Sequence, residues 1–504
     1  MKKIIPLLLC LFLTVSTPIW SQTLSDVLRY NAADIPGDAR FTAMGGAFGA
    51  LGGNLSGMSL NPAGSSVFLY TELGLSAQLT NQNIESAYFS SAEESSKDRF
   101  RFPQFGGVFV MEGDEDDWTK VSFGFNIQRL QDFNRVYRVS GNNPNNGLDA
   151  YFLNYAQGNA LSQLELLQGE TYGDAYADIG EVYGYGTQQA FLGYQGYIIN
   201  PDSYDDNNTQ YSSNAIYDRR NHQFLVESSG YHRKFTFNFS AAYQNKFHIG
   251  LNINSHQVEY EESNGLEERG YATNSGLQYT YFANELSSLG RGLSFDLGVI
   301  ALYNDLRVGL SYQSPTWFTF VDETKQRLDV DYLDNNQLIS EIIDPGVING
   351  YPEYDLRTPS KLTLSMAYTF KGRGLISIDF GTQNPQNTRF EDQNSSYFAG
   401  LNDRIKNEFI RSNFLRVGSE IRVNDQISLR AGYSTEGALQ SSLTQENNSY
   451  SIGVGYDMGA SALNLALVKR ERLLSQELYS TGLDDHYTLN FRPLQVVVSY
   501  VFRL

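Results

Sequence analysis

His248 and His256 fall at the same parity of one alternating segment, Phe247 to His256, and two imidazoles on a shared face are how a metal or haem site begins. Along an extended strand they stand roughly 27 Å apart at about 3.4 Å per residue, too far to share an ion, so they read as lumenal polar groups. The carboxylates between Glu112 and Asp117 lack the ligand spacing of a calcium loop and read as a solvated turn. Gly46, Gly49 and Gly52 recur at three-residue intervals, but this is not the dinucleotide fingerprint, and no strand precedes them. No Walker lysine motif, H-E-x-x-H or G-x-S-x-G occurs. Asp296, Asp379, Arg307, Arg416, Glu420, Arg422 and Arg430 lie on inward rows, where wall ion pairs or plug anchors are the simpler reading than acid–base chemistry. No catalytic residue, metal or cofactor is expected, and the chain is not read as an enzyme.

The elements that would carry these residues follow from composition. The 504 residues are 13% aromatic and 18% charged, with 34 Tyr and 45 Gly, which suits one large β-rich body better than several soluble domains. A net charge of −19 argues against nucleic acid as a partner, because phosphate binding needs clustered Lys and Arg. Lys2 and Lys3, an apolar run from Ile4 to Val15 and small or polar residues to Ser21 make residues 1–21 a secretory signal peptide. The lone cysteine, Cys10, lies in that leader, so the mature chain has neither disulfides nor thiol chemistry. No later stretch reaches the roughly 20 apolar residues of a membrane helix.

Alternation then decides the fold class. In Phe247 to His256 one face carries Phe247, Ile249, Leu251 and Ile253, and the other carries His248, Gly250, Asn252 and Asn254. A soluble sandwich alternates in the same way, but Tyr243, Tyr303, Tyr312, Tyr368, Tyr433, Tyr456 and Tyr500 fall at the ends of the apolar rows, as an interfacial girdle would. Short turns such as Gln244-Asn245-Lys246 and Asn304-Asp305 alternate with long polar connections. Fourteen strand segments, from Phe68–Thr80 to Leu494–Phe502, predict an all-β, 14-stranded antiparallel transmembrane β-barrel with an N-terminal plug in its lumen. Residues 22–64 form the plug, and residues 65–504 form the barrel, with the largest extracellular loop over about 139–233. Its outer face meets outer-membrane lipid, and the terminal Val501-Phe502-Arg503-Leu504 suits the barrel-assembly machinery. Arginine at Leu251, Ile253, Val308 or Val417 should block assembly, while arginine at Asn252 or Ser311 should be accepted.

Residues Gly37-Asp38-Ala39-Arg40, Met44-Gly45-Gly46-Ala47 and Asn61-Pro62-Ala63-Gly64 before the first strand resemble the long-chain fatty-acid transporter family of outer membranes (FadL/TodX). The resemblance continues in Thr358-Pro359-Ser360 and Leu429-Arg430-Ala431-Gly432-Tyr433 and is weak in the long loops. It implies passive uptake of hydrophobic small molecules across the outer membrane of a Gram-negative-type bacterium. Solutes would be captured at the loops, pass an apolar lumen, and leave sideways beside a kinked third strand. The strand in that position loses its alternation at Arg129-Leu130. On this reading Asn61, Pro62 and Ala63 are the hinge of a gating plug, and Met44, Phe48, Leu51 and Met58 border the path. Phe152, Leu153, Leu164, Leu167, Phe191 and Tyr197 supply loop capture, while Asp202, Asp205 and Asp206 nearby disfavour a carboxylate. Fatty acid, aromatic hydrocarbon and haem all suit such a path. The alternative is a barrel of this fold serving as a docking or shuttle component of a secretion apparatus.

Overall fold

The computed structural model describes residues 22–31, 36–113, 117–392, 397–443 and 447–504. The leader expected over 1–21, Cys10 included, and the middle of the Glu112–Asp117 turn lie outside them. Fourteen strands form the wall: β1 (Glu72–Tyr88), β2 (Ser91–Glu112), β3 (Trp118–Asp132), β4 (Tyr217–Tyr243), β5 (Phe247–Tyr271), β6 (Leu277–Tyr303) and β7 (Leu306–Gln313), followed by β8 (Lys361–Thr369), β9 (Gly374–Gln383), β10 (Ser412–Arg422), β11 (Ile427–Glu436), β12 (Asn447–Asp457), β13 (Ser461–Glu477) and β14 (Leu494–Arg503). Each pairs antiparallel with the next, and β1 closes on β14 from Glu72↔Arg503 to Asn81↔Leu494. Closure gives every strand two neighbours, which is what allows such a sheet to sit in lipid.

The period-two pattern sets the faces. In β5, Phe247, Ile249 and Ile253 are exposed while His248, Asn252, Asn254 and His256 are buried in the lumen. At the short-turn end Trp118, Phe247, Tyr303, Tyr368, Tyr456 and Tyr500 are exposed as one rim, where amphipathic rings meet headgroups. Above Ser255 the outward positions of β5 turn polar, at Gln257, Glu259 and Glu261, which marks the end of the apolar belt.

Several strands run far past that belt. At about 3.3 Å per residue the 27 residues of β4 or β6 extend roughly 90 Å, against about 30 Å of hydrocarbon. They raise a second storey above the membrane, thickened by the strands Arg135–Asn142, Trp317–Asp334, Tyr354–Arg357 and His486–Phe491. The loop expected over 139–233 is accordingly narrower, because Arg135–Asn142 and Tyr217–Ser228 are paired strand with water on the outer face. For the same reason β1 and β2 are joined on the long-loop side by the tight turn Phe89-Ser90. Helices α1 (Leu24–Asn31), α2 (Ala39–Ala43), α3 (Leu148–Ala156) and α5 (Tyr185–Gln195) are mostly buried, whereas α4 (Tyr172–Val182) and α6 (Ala399–Glu408) bury one face each. The largest apolar cluster, including Phe152, Phe191, Phe282, Phe320 and Leu328, lies in this upper storey.

Candidate functional site

Among the described residues the lumen holds a floor, a shelf and two chambers on either side of that shelf, besides a cavity of about 190 Å³ between floor and wall around Arg40 and Glu420. The floor is residues 36–67. Asp38 caps α2, its carboxylate accepting from Phe41 N at 2.9 Å, and α2 is short because Gly45 and Gly46 follow with positive φ. Arg40 then forks onto Glu420 at 2.8 and 3.0 Å, and Glu420 also takes Arg430 at 2.6 Å. Gly49 N donates to the Asp379 carboxylate at 3.1 Å, and Arg307 Nη1 donates to Leu51 O at 2.6 Å. Of the inward charges, Arg307, Asp379 and Glu420 therefore anchor the plug, while Arg430 pairs with Glu420 and Asn464 within the wall.

Asn61 sits where plug and wall meet. Its side chain accepts from Ala63 N, capping the 3₁₀ turn Pro62–Val67, and donates to Gly49 O at 2.7 Å and Val299 O at 3.1 Å. Asn238 holds Pro62 O at 3.0 Å. A β-carbon on Gly298 would collide with Asn61 Oδ1, and one on Gly250 with the Pro62 backbone. Gly309, Gly418, Gly432 and Gly453 are likewise pressed against plug backbone or Ala43, so inward glycines of the wall serve close approach by the plug. Met44, Phe48 and Leu51 pack with Phe41, Ala50 and Ala367, and Met58 lies against Gly124. None of these four lines a chamber.

The shelf is α1, the first part of the segment expected as plug, which stands apart from the floor. Leu24, Val27 and Leu28 share a face, and Asp26 accepts from Thr23 N at 2.7 Å at its start. Gln22 reaches Asp322 at 2.8 Å, Asn31 reaches Thr388 at 2.8 Å, and the Tyr30 ring lies 4.7 Å from Phe320. Arg29 pairs with Asp26 and lies 3.7 Å over the Tyr260 ring. Burial lifts the Asp26 carboxyl to about 6, against the pull of Arg29 and the Thr23 amide, with Asp322 and Glu262 adding to the rise. Seated α1 thus holds that proton more tightly than a free chain with its ordinary value of 3.8. Seating is fully supported below 3.8 and weakens as pH rises through about 6. Hydrogen exchange of the Leu24–Asn31 amides is expected to accelerate from about pH 5 to about pH 7.5 beyond the intrinsic trend, and D26N should abolish the excess. An equal excess in the variant would place the titration elsewhere.

Above the shelf is a chamber of about 250 Å³. Helix α3 delivers Tyr151 and Tyr155 from consecutive turns, and they meet Tyr137, Tyr185, Tyr260, Tyr351, Tyr479 and Tyr487 from other elements. Tyr151 lies 4.8 Å from Tyr479, ring centre to ring centre. Burial pushes the Tyr155 phenol up to about 12, so at neutral pH it stays a neutral hydrogen-bonding group. A buried knot fixes α3: Glu268 accepts from Leu148 N at 2.9 Å and Tyr271 at 2.7 Å, and lies 2.7 Å from His222.

The residues expected to capture solute divide here. Phe152, Leu164 and Phe191 are fully buried behind the tyrosines and Leu153 is partly so, whereas Leu167, 72% exposed, and Tyr197 face outward, Tyr197 stacked on Tyr332. Bulky side chains in a closed tube find one another, which leaves the amphipathic tyrosines at the chamber surface.

Below the shelf is a second chamber of about 300 Å³, sharing Gln131, Arg135, Arg472 and Leu474 with the first. Its walls mix charged groups, among them His232, Lys234, His256, Asp296, Lys361 and Arg416, with apolar ones such as Tyr30, Phe318 and Phe491. His256 does find an imidazole partner, but it is His232 across the β4–β5 pair at 2.9 Å; His248 bonds Ser66 of the plug at 2.8 Å. Cross-strand register makes that pair, and spacing along one strand does not reveal it.

Beside this chamber the wall changes. Strands β2 and β3 pair only from Gln104↔Gln128 to Glu112↔Lys120. Above, the β1–β2 register shifts opposite Phe102 and Pro103, and the β3–β4 register shifts at Leu130, where the lost alternation pointed. Arg99 and Arg101 face Asp132 across the break at 3.6 and 3.8 Å, and Leu130 and Gln131 line the lower chamber.

A closed barrel of fourteen antiparallel strands, belted outside by apolar residues and plugged from its own N-terminus, defines a transmembrane plugged barrel. No family model matches the chain, and no curated protein does. Among solved structures it superposes on the Pseudomonas putida toluene transporter TodX with a TM-score of 0.50 and 14% identity, covering 94% of this chain and 99% of that one. A Pseudomonas aeruginosa FadL homologue gives a TM-score of 0.53 and 11% identity, covering 93% of this chain and 98% of that one. The chain has the fold of the FadL and TodX barrels.

Proposed function

We propose that the protein is a passive channel in the outer membrane of a Gram-negative-type bacterium, taking up hydrophobic small molecules of aromatic or fatty-acid-like character. The observation that carries this is continuity: the tyrosine chamber adjoins the lower chamber around α1, and the lower chamber adjoins the break between β2 and β3. Toluene transport by TodX supports the same reading by likeness of fold. Capture falls to the tyrosine surface with Leu167 and Tyr197 outside it, while Phe152, Leu153, Leu164 and Phe191 hold the loops in place behind. Burial at roughly 25 cal/mol per Å² of apolar area retains a solute without energy input. Gating falls to Asn61, Pro62 and Ala63, and the bonds of the Asn61 amide to Gly49 O and Val299 O must break before Met44, Phe48, Leu51 or Met58 can border a passage. Enclosed chambers beside a wall break favour a conduit over a docking component. The exterior belt is assigned to outer-membrane lipid and the terminal strand to the barrel-assembly machinery.

The test is uptake of toluene and of a long-chain alcohol by cells lacking and then regaining the protein, with a variant in which Leu130 is deleted. The deletion removes the β3 bulge and lets β2 and β3 pair further up. Restored uptake with the natural chain, and its loss with the variant although the barrel still assembles, are the expected results. Equal uptake with and without the protein would end the channel reading, and full uptake by the variant would move the exit elsewhere.

A further inference from the structure

We propose that the lower chamber is a receptor for a doubly charged acidic head group, a phosphate monoester or equivalent dianion, borne on an aromatic or apolar body. The proposal deepens the channel reading by naming a substrate class, and rests on that reading only for how the ligand arrives.

Its basis is a concentration of charge that runs against the composition. In a chain of net charge −19, Arg135, Lys234, Lys361, Arg416, Arg470 and Arg472 line this one cavity. Three carboxylates share it, and each is already engaged. Asp296 accepts from Asn252 at 2.9 Å and Asn254 at 3.0 Å, Glu436 accepts from Gln383 at 2.6 Å, and Glu471 lies 3.5 Å from Arg492. Lys234 is only 6% exposed, and among the described residues neither it nor Lys361 has a hydrogen-bonded acceptor. Arg416 stacks 4.3 Å over Phe414 with its Nε and Nη1 buried and unsatisfied, while the carboxylate opposite it in register, Asp379, is taken up by Gly49 N.

Six lining cations face three lining carboxylates, so the cavity keeps an excess of positive charge that is costly to bury, and one dianion within reach offsets it. A guanidinium fork beside two ammonium groups suits the oxygens of phosphate, whereas a single carboxylate would leave most of these donors unsatisfied. The body follows from the same walls. Tyr30, Phe41, Phe318 and Phe491 flank the basic groups, and the tyrosine chamber continues across the shelf. Together the volumes suit a molecule of a few tens of atoms. A phosphate monoester reaches this place either free, from the tyrosine side, or as a lipid head group through the break beside Leu130.

The test uses the full barrel in zwitterionic phosphatidylcholine nanodiscs, with equilibrium dialysis of phenyl phosphate, benzoate and benzyl alcohol at mildly alkaline pH. Phenyl phosphate should bind at least about tenfold more tightly than either of the others, with inorganic phosphate competing. The double variant K234M/K361M should lose about tenfold or more for phenyl phosphate and nothing for benzyl alcohol. Raising salt on the natural protein should weaken phenyl phosphate alone, a readout that requires no variant. Displacement by phosphatidic acid placed in the nanodisc would assign the lipid source, and undiminished binding the soluble one. Equal affinity for all three probes, or an unchanged affinity in K234M/K361M, overturns the proposal. Selective phenyl phosphate binding without toluene uptake by cells would retire the channel reading and leave this one standing, and toluene uptake without selectivity would do the reverse.

Discussion

Replacing Gly298 with leucine is expected to unseat the plug and leave the barrel standing, turning a plugged wall into a conducting one. A β-carbon at that position collides with Asn61 Oδ1 and approaches Pro62 Cδ to 2.8 Å, and leucine adds three more carbons in the same direction. Overpacking of this kind costs about 1–3 kcal/mol. Displacing Asn61 also forfeits its bonds to Gly49 O, Val299 O and Ala63 N, at roughly 1 kcal/mol each. The wall has no such conflict, because Gly298 pairs with Gly250 and Ser311 by backbone alone and its side-chain position points inward. Ion conductance in planar bilayers should therefore rise sharply in the variant, while heat-modifiable mobility of the barrel is retained. G250L, which meets the Pro62 backbone, should behave alike. A variant that conducts no better than the natural protein would mean that the floor yields without opening.

The second large effect concerns lipid. Leu251→Arg should impair membrane assembly by about 2–4 kcal/mol, since Leu251 belongs to the outward row of β5 with Ile249 and Ile253 in the middle of the apolar belt. Ser255→Arg, on the same face but at the polar end of the belt, should cost no more than about 1 kcal/mol. Asn252 corrects the expectation that inward arginines are accepted. It is fully buried, donates to Met58 O at 3.0 Å and Asp296 at 2.9 Å, and leaves no room for a longer side chain. Ser311 is buried as well. Both inward substitutions should therefore fail, through plug packing rather than through lipid. Folding yields in lipid vesicles for the set separate the causes, because trimming the plug should rescue N252R and not L251R. Equal assembly of L251R and S255R would overturn the register.

Much of this molecule was legible in order along the chain. Period-two alternation tells which face of a strand is wet, so the strand count, the girdle at Tyr303, Tyr368 and Tyr456, the short turns and the bulge near Leu130 could be read without coordinates. The glycines of the inward rows signalled close approach, and Asn61-Pro62 signalled a capped bend. The upper storey was harder to read. Once a strand leaves lipid its outward residues become polar, as at Glu259 and Glu261, and the contrast that identifies a strand disappears.

Alternation settles only inside and outside; what stands opposite inside a closed tube depends on closure, stagger and the filling of the lumen. Sequence alone therefore determined a plugged barrel of fourteen strands and a belt for lipid. Tertiary structure alone decided that His256 meets His232, that α1 divides the lumen, and that tyrosines rather than Phe152 or Phe191 face the upper chamber. It also decided that Lys234, Lys361 and Arg416, separated by more than a hundred residues from first to last, share one cavity. The physical reason is that hydrophobic periodicity is a local signal carried by each strand, whereas the lumen is built from side chains whose neighbours are fixed only when the last strand pairs with the first.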